Sequence, residues 1–382
     1  MKILYVIHDN KKGGAALSFL EMIEQVKKEH EIFVLTPHKK GFLPEKLDEL
    51  AIPHKSVHYF WWMVQCPSNL WGRKIKLLIY YFLGWITKVE AFRWGKLLKE
   101  HQYDIVHSNG SVIHFGGLLA HELEVPHVWH IREFAQEFGF VPIYNRGYIN
   151  ECYNKYTSKA IAISEAIRTD FLKILPEEKV VCIYNAVSKN YNIQKETFPV
   201  KGDRIVFSIV GNYTLNKGQI YVAQAVEYLV EQGMTNFEVW MAGSGEFEEV
   251  KELINKHNLQ DNIKLLGDIN DTLSVRKKAD VEIVASKCEA FGRVTVEAMK
   301  ASMPVIGTNT GGTTELIDEG VSGYFFDFGD CLGLAKIMQR FIENPSEIAY
   351  MGKNAYRKMC NRFTAEENGR KIMDIYETLA NK

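Results

Sequence analysis

Residues 281–307 read VEIVASKCEAFGRVTVEAMKASMPVIG, and this stretch decides the fold class. An apolar run at 281–285 is followed by a polar loop, a helix-forming run from about Arg293, and a second apolar run at 304–307. Apolar strands that alternate with helices imply a parallel sheet covered on both faces. The loop after the first strand carries Glu289, and Glu297 stands one to two turns into the helix. Loops at the carboxyl ends of parallel strands form ligand crevices. The N–H groups at the helix start, near Phe291, Gly292 and Arg293, suit an anion. Gly292 has no Cβ, so a ligand can come close to the backbone. Two carboxylates beside an anion site suit a ligand with both phosphates and hydroxyl diols. The bare E-x7-E spacing is common, and it also fits two surface glutamates around an ordinary loop.

The same alternation runs along the whole chain. Strands are expected at 3–7, 31–35, 105–107, 125–130, 160–163 and 180–184, with a helix over 15–29. A second cycle opens with a strand at 205–210 and a helix from Gly218 to about Glu231. Strands follow at 237–242, 263–265, 281–285 and 305–307. Two such series in sequence predict two doubly wound Rossmann-like α/β domains. The linker is expected within 188–203, a polar stretch with Pro199 and Gly202. Thr364 and Glu367 match a T-x-x-E capping box. Ile372, Ile375, Tyr376 and Leu379 then make an apolar stripe at helical spacing, so the chain ends in a helix.

Composition narrows the function classes. The 382 residues predict about two domains. Lys and Arg (46) nearly cancel Asp and Glu (47), so no global field points to nucleic acid. The six cysteines are scattered without a C-x-x-C, which argues against a zinc site or disulfide framework and fits a reducing cytosol. MKILYVIHD is too short an apolar run for a signal peptide and reads as a first strand. No run reaches the roughly 18 apolar residues that would span a bilayer.

CEAFGRVTVEAMKASMPVIGTNTGGTTELI, residues 288–317, strongly resembles the donor-binding segment of the retaining glycosyltransferases of family 4, the group 1 glycosyl transferases. Weaker matches cover most of the chain. The resemblance implies a GT-B fold: two Rossmann-like domains facing across a cleft, with the last helix crossing back to the first. It places an acceptor-side domain at 1–190 together with 364–382, and a donor-binding domain at 191–363. A nucleotide sugar carries both phosphates and diols, as the local reading asks.

Other motifs extend the resemblance. IVGNYTLNKGQIYVAQAV (residues 209–226) is close to the family's G-R-L-x-x-x-K-G, and Lys217 matches the lysine that holds the donor phosphates. Asn212 stands where an arginine is usual; it offers a hydrogen bond but no charge, and Arg293 is a candidate replacement cation. Gly243 and Gly245 match a G-x-G loop near the donor. The GDINDT loop (residues 267–272) matches the place where the base is read, largely by backbone groups. Gly311-Gly312 is expected to open a helix, with Glu315 in its first turn stabilising the dipole. In the first half, Gly13-Gly14 resembles the glycine loop that faces the donor phosphate and acceptor. VPHVWHIREF (residues 125–134) delivers His130, which matches the histidine that contacts the transferred sugar; Glu133 is a candidate orienting group. The catalytic candidates are therefore His130, Glu289 and Lys217. The donor-binding candidates are Gly14, Asn212, Lys217, Gly243, Phe291, Gly292, Arg293 and Glu297, in which Glu297 takes the ribose diol. No Asp-x-Asp occurs, so neither a metal nor any other cofactor is expected, and helix N-termini and Lys217 would carry the leaving-group charge.

Residues 56–99 mix Trp and Tyr with Arg73, Lys74, Lys76, Lys88, Arg93, Lys96 and Lys99, and Glu90 is the only acid. Such segments favour a membrane interface with anionic headgroups, and an aromatic helix buried in its own domain has the same composition. The resemblance implies a retaining, metal-independent enzyme that moves a sugar from a UDP- or GDP-linked donor to a glycan or lipid-linked acceptor. Its setting would be surface-polysaccharide assembly, in the cytoplasm or peripherally at the inner face of the cytoplasmic membrane, without nucleic-acid partners. Two alternatives stay open: a nucleotide-sugar-binding partner that does not transfer, and another GT-B enzyme such as a sugar-nucleotide epimerase.

Overall fold

The computed structural model describes residues 1–66, 69–134, 139–269 and 271–381. Pro67 and Ser68 of the aromatic-basic segment, and Asn270 of the GDINDT loop, lie outside the described residues. The chain forms two compact units: Met1–Ala186 with Ala365–Lys382, and Val187–Thr364.

The first unit contains β1 (Lys2–Ile7), α1 (Gly14–Val26), β2 (Glu31–Thr36), α2 (Phe42–Glu49), β3 (His54–Ser56), β4 (Met63–Gln65), α3 (Leu70–Leu98), β5 (Ile105–Asn109) and α4 (Phe115–Leu123). It continues with β6 (His127–Ile131), β7 (Phe140–Pro142), α5 (Arg146–Tyr156), β8 (Lys159–Ala162), α6 (Glu165–Phe171) and β9 (Val180–Cys182). Seven strands form a parallel sheet in the order β3-β2-β1-β5-β6-β8-β9. β4 and β7 pair separately as an antiparallel ribbon.

The second unit contains β10 (Ile205–Val210), α7 (Gln219–Glu231), β11 (Phe237–Ala242), α8 (Glu248–His257), β12 (Ile263–Gly267), α9 (Thr272–Lys278), β13 (Val281–Val284), α10 (Arg293–Lys300), β14 (Val305–Thr308), β15 (Gly323–Phe326), α11 (Cys331–Glu343) and α12 (Ser346–Met359). Its sheet is parallel, in the order β12-β11-β10-β13-β14-β15. Phe207, Val239 and Ile283 lie on neighbouring strands and are buried in one apolar cluster. That burial is why these strands are mainly apolar, with Ser208, Glu238 and Glu282 as the polar exceptions.

In each sheet the strand order reverses direction once, between β1 and β5 and between β10 and β13. The loops leaving those strands diverge there, which opens a crevice at the carboxyl edge. α13 (Ala365–Ala380) packs on the first unit: Ile372, Tyr376 and Leu379 join the core that also holds Phe19, Met22 and Ile23 of α1. Gly369 allows close contact, because a Cβ there would lie 2.5 Å from Gln25 Cβ.

Two expectations change. Gly311–Glu315 is a short 3-10 turn, so Glu315 ends it rather than standing in the first turn of an α-helix. The glycine pair packs on the preceding loop instead: Gly312 N donates to Glu289 O at 2.7 Å. The 56–99 segment also divides. Trp62, Met63 and Val64 are buried in the first unit, and only the helix from Leu70 onward displays its aromatics.

Candidate functional site

At the β10/β13 crevice the two diverging loops nearly touch. Gly218 follows Lys217 with φ +70°, and a Cβ there would lie 2.2 Å from Ala285 O. Only glycine combines that backbone with that contact. Lys287 N donates to Asn216 O at 2.7 Å across the same gap. Lys217 Nζ then reaches Glu289 Oε1 at 2.5 Å, and the same oxygen accepts from Ser286 Oγ at 2.5 Å. The loop after β11 closes in from the other side. Gly243 has φ +153°, and its Cβ would lie 2.0 Å from Gly211 O. Asn212 is exposed, and Gln219 Nε2 donates to its carbonyl at 3.3 Å. A narrow recess lined by Gly211, Lys217, Gln219, Ser286 and Val294 runs between these loops.

Glu297 sits behind this loop cluster in α10, mostly buried between two guanidinium groups. Arg293 Nε donates to its Oε1 at 2.8 Å, and Arg276 Nη2 lies 3.1 Å from its Oε2. The Arg293–Glu297 pair follows from their i,i+4 spacing on the helix. Phe291 is buried, and Gly292 takes φ +90° just before α10. Arg276 is fully buried on α9, and its guanidinium also stands 3.8 Å from Glu282 Oε1. Glu282 points into the sheet interior, where Ser208 Oγ donates to it at 2.6 Å. Burial pushes its carboxyl up to about 7, against the lowering effect of Arg276. Desolvation therefore outweighs this ion pair.

In the first unit His130 stands near the end of β6, fully buried. Its Nδ1 lies 3.2 Å from His107 Nε2 and 3.4 Å from Arg132 Nη2. His107 Nδ1 lies 2.6 Å from Tyr376 Oη, which is 2.8 Å from Tyr5 Oη. Burial, then the Arg132 charge, holds His130 and His107 well below the usual histidine range, so both are neutral at pH 7. One assignment satisfies the chain: Tyr376 donates to His107 Nδ1, His107 Nε2–H donates to His130 Nδ1, and His130 carries its proton on Nε2. That Nε2 is buried without a hydrogen-bond partner. Arg132 is held by Asn109 and Asn185. Glu133 caps the loop after β5, accepting from Ser111 N at 2.6 Å and Ser111 Oγ at 2.7 Å. Gly14 opens α1, and a Cβ at Gly13 or Gly14 would meet nothing within 4 Å.

Two family models match successive parts of the chain: "Glycosyltransferase Family 4" over residues 12–191 and "Glycosyl transferases group 1" over residues 190–358. The chain belongs to the group 1 glycosyl transferases of GT-B type. An Escherichia coli UDP-Gal:alpha-D-GlcNAc-diphosphoundecaprenol alpha-1,3-galactosyltransferase is 26% identical over 303 residues, 74% of this chain and 77% of that protein. The Staphylococcus aureus capsular polysaccharide biosynthesis glycosyltransferase CapH is 22% identical over 374 residues, 93% of this chain and 95% of that protein. Among solved structures, Anabaena Alr3699/HepE in complex with UDP superposes with a TM-score of 0.79 at 21% identity, over 99% of this chain and 100% of that one.

Within this glycosyltransferase, Lys217, Glu289 and the backbone of Gly243 converge, with Glu297 held behind them. His130 and Gly14 belong to the other unit. The sequence assigns no role to Arg276, Glu282, Ser286 or His107, and it places Tyr376 only in the apolar stripe of the last helix. Arg276 lies in RKK and reads as a solvated charge run; Glu282, a charge inside an apolar strand, was the available signal. Among the described residues, one group of side chains could jointly hold a metal ion: Glu227, Glu231 and His257. Glu227 and Glu231 lie toward the end of α7, remote from Lys217, which precedes its start.

Proposed function

We propose that this glycosyltransferase is a retaining, metal-independent enzyme that moves a sugar from a UDP- or GDP-linked donor to a glycan or lipid-linked acceptor in surface-polysaccharide assembly. One observation carries the reading: Lys217 and Glu289 pair across the β10/β13 crevice, with Glu297 fixed by two arginines behind it. Lys217 is assigned the diphosphate, whose charge grows as the C1–O bond breaks. Glu297 is assigned the ribose diol and Glu289 the donor-sugar hydroxyls. The open space around Gly14 leaves room for a phosphate near the α1 start, and His130, neutral with an Nε2–H, is assigned a sugar hydroxyl as donor. Retention follows if the acceptor hydroxyl attacks C1 from the face the diphosphate leaves, passing its proton to the departing phosphate oxygen. Relatives that act in capsular polysaccharide biosynthesis and on a diphosphoundecaprenol-linked sugar support the setting.

The test incubates the protein with UDP- and GDP-sugars, with and without EDTA, and follows nucleotide release and the anomer of any product by NMR. Release from one nucleotide class, unchanged by EDTA, with an axial or equatorial product bond matching the donor's, is expected. EDTA-sensitive release, an inverted anomer, or donor isomerisation without release would refute the reading.

A further inference from the structure

α3 is 29 residues long, and its two faces are both apolar. One face is small and buried: Gly84, Thr87, Ala91, Gly95 and Leu98. It fits tightly, because a Cβ at Gly84 would lie 2.3 Å from Tyr144 Oη and one at Gly95 2.5 Å from Glu122 Cβ. On the other face Trp71, Ile75, Leu78, Phe82, Trp85, Val89 and Phe92 repeat at alternating spacings of four and three. Each is between 44% and 77% exposed. At 1.5 Å per residue the stripe runs for about 32 Å. A surface helix ordinarily turns polar residues outward, and an apolar patch this continuous marks an interaction site.

Charge decides the occupant. Residues 70–99 carry seven Lys or Arg and the single acid Glu90. Lys96 continues the stripe at its carboxyl end, and Lys74 and Arg93 flank its two ends. A coiled-coil partner face would be expected to use Leu, Ile or Val at the seam with charges of both signs beside it. Here four of the seven stripe residues are aromatic and the flanks are cationic, a pattern that suits acyl chains and anionic headgroups. No helix among the described residues is long and apolar enough to cross a membrane, so α3 would lie along the surface.

We propose that the exposed stripe of α3 docks this protein lengthwise on a bilayer rich in anionic lipid. The proposal goes beyond the transfer chemistry and stands independently of it. Its position adds a consequence: Phe60 N donates to Thr87 Oγ1 of α3 at 3.0 Å, and the neighbouring Trp61 and Trp62 donate to His8 O and Ser111 O at the carboxyl edge of the first sheet. The buried face of α3 therefore packs beside the edge where the β1 and β5 loops diverge, and the docked stripe lies on the other side of the helix.

The test is vesicle flotation of the full chain with phosphatidylglycerol/phosphatidylethanolamine and with phosphatidylcholine alone, at low and high salt. Wild type, Phe82→Ser/Trp85→Ser and Lys74→Glu/Arg93→Glu/Lys96→Glu are compared. Their folding is checked by circular dichroism, and their oligomeric state by light scattering. Binding to the anionic vesicles, weakened by salt and at least about tenfold by either variant, is expected. A blue shift of tryptophan fluorescence on vesicle addition, reduced by Phe82→Ser/Trp85→Ser, would accompany it. No binding to either vesicle, equal binding to neutral vesicles, or a dimer that the same variants dissociate would overturn the proposal. Donor turnover without vesicles is a separate readout, so a wild type that turns over donor but binds no vesicle refutes docking alone.

Discussion

Lys217 and Glu289 lie 72 residues apart, yet Lys217 Nζ stands 2.5 Å from Glu289 Oε1 across the point where the second sheet reverses its strand order. The pair is partly exposed and is screened by solvent, so it contributes little to stability, on the order of 0–1 kcal/mol. Its position between the β10 and β13 loops holds a cation and a carboxylate together at the carboxyl edge of the sheet.

Replacing either partner should therefore separate activity from folding. Lys217→Ala and Glu289→Gln are expected to lower kcat by about a hundredfold or more, since the proposed function puts Lys217 on the diphosphate as its charge grows and Glu289 on the hydroxyls that orient the donor sugar. Their melting temperatures should move by no more than a few degrees. Steady-state kinetics beside calorimetric melting checks this. A large fall in melting temperature would make the pair structural.

Arg276 should behave in the opposite way. It is fully buried between Glu282 and Glu297, so Arg276→Met leaves Glu297 with only Arg293 and is expected to cost about 3–5 kcal/mol in urea unfolding. Glu282→Gln should be neutral or stabilising at pH 8, because burial already disfavours its charged form. Equal destabilisation by both would show that the Glu282 carboxylate is stabilised rather than tolerated.

Acid should weaken the two units unequally. His107, His114, His127 and His130 all have lowered values, His114 to about 3 and His127 to about 4, chiefly through burial. Their contribution is complete above the ordinary histidine value and is lost as pH falls below it, by up to about 1.4 kcal/mol per pH unit for each. Glu282 has the other sign: its raised value gives a contribution present at low pH and lost as pH rises through about 7. Hydrogen exchange between pH 7 and 5 should show β5 and β6 losing protection ahead of β10 and β13. Equal loss in both sheets would contradict this.

Two glycines make a further contrast. Gly14→Ala should leave the melting temperature unchanged or slightly raised, because its Cβ meets nothing and alanine favours the helix, while transfer activity falls if a phosphate comes close there. Gly218→Ala should lower both stability and nucleotide binding, because its backbone is left-handed and its Cβ would collide with Ala285 O. Thermal melting and nucleotide titration of the two variants check the pair. Unchanged activity in Gly14→Ala would remove that glycine from the site.

Strands buried on both faces were the most legible part of the fold. Ile205–Val210 and Phe237–Ala242 were bounded to the residue, because each is a mostly apolar run of strand length between polar segments. Three-residue strands such as His54–Ser56 carry too few side chains for a pattern. The glycine pair at 311–312 reads as a helix start because its partner, the Glu289–Phe291 backbone, is contributed from another loop. Lys217, Glu289 and Glu297 were legible as residues, and the tertiary fold shows that the first two meet. Arg276 was hidden, since what makes it notable is its burial against distant carboxylates, and Tyr376 was legible only as a core residue of the last helix, because its hydroxyl meets Tyr5 and His107 from distant segments. The exposure of α3 was equally hidden: composition shows that a helix is aromatic and basic, while packing decides which face is left outward.

The most direct test of the donor site is calorimetric titration of UDP and GDP into wild type, Lys217→Ala and Glu297→Ala. Binding of one of the two nucleotides, weakened about tenfold or more in each variant, is the expected result, because in the proposed function Lys217 and Glu297 each make a charge-assisted contact to a different part of the ligand. A nucleotide that binds all three proteins with the same affinity would place its site elsewhere and contradict the account.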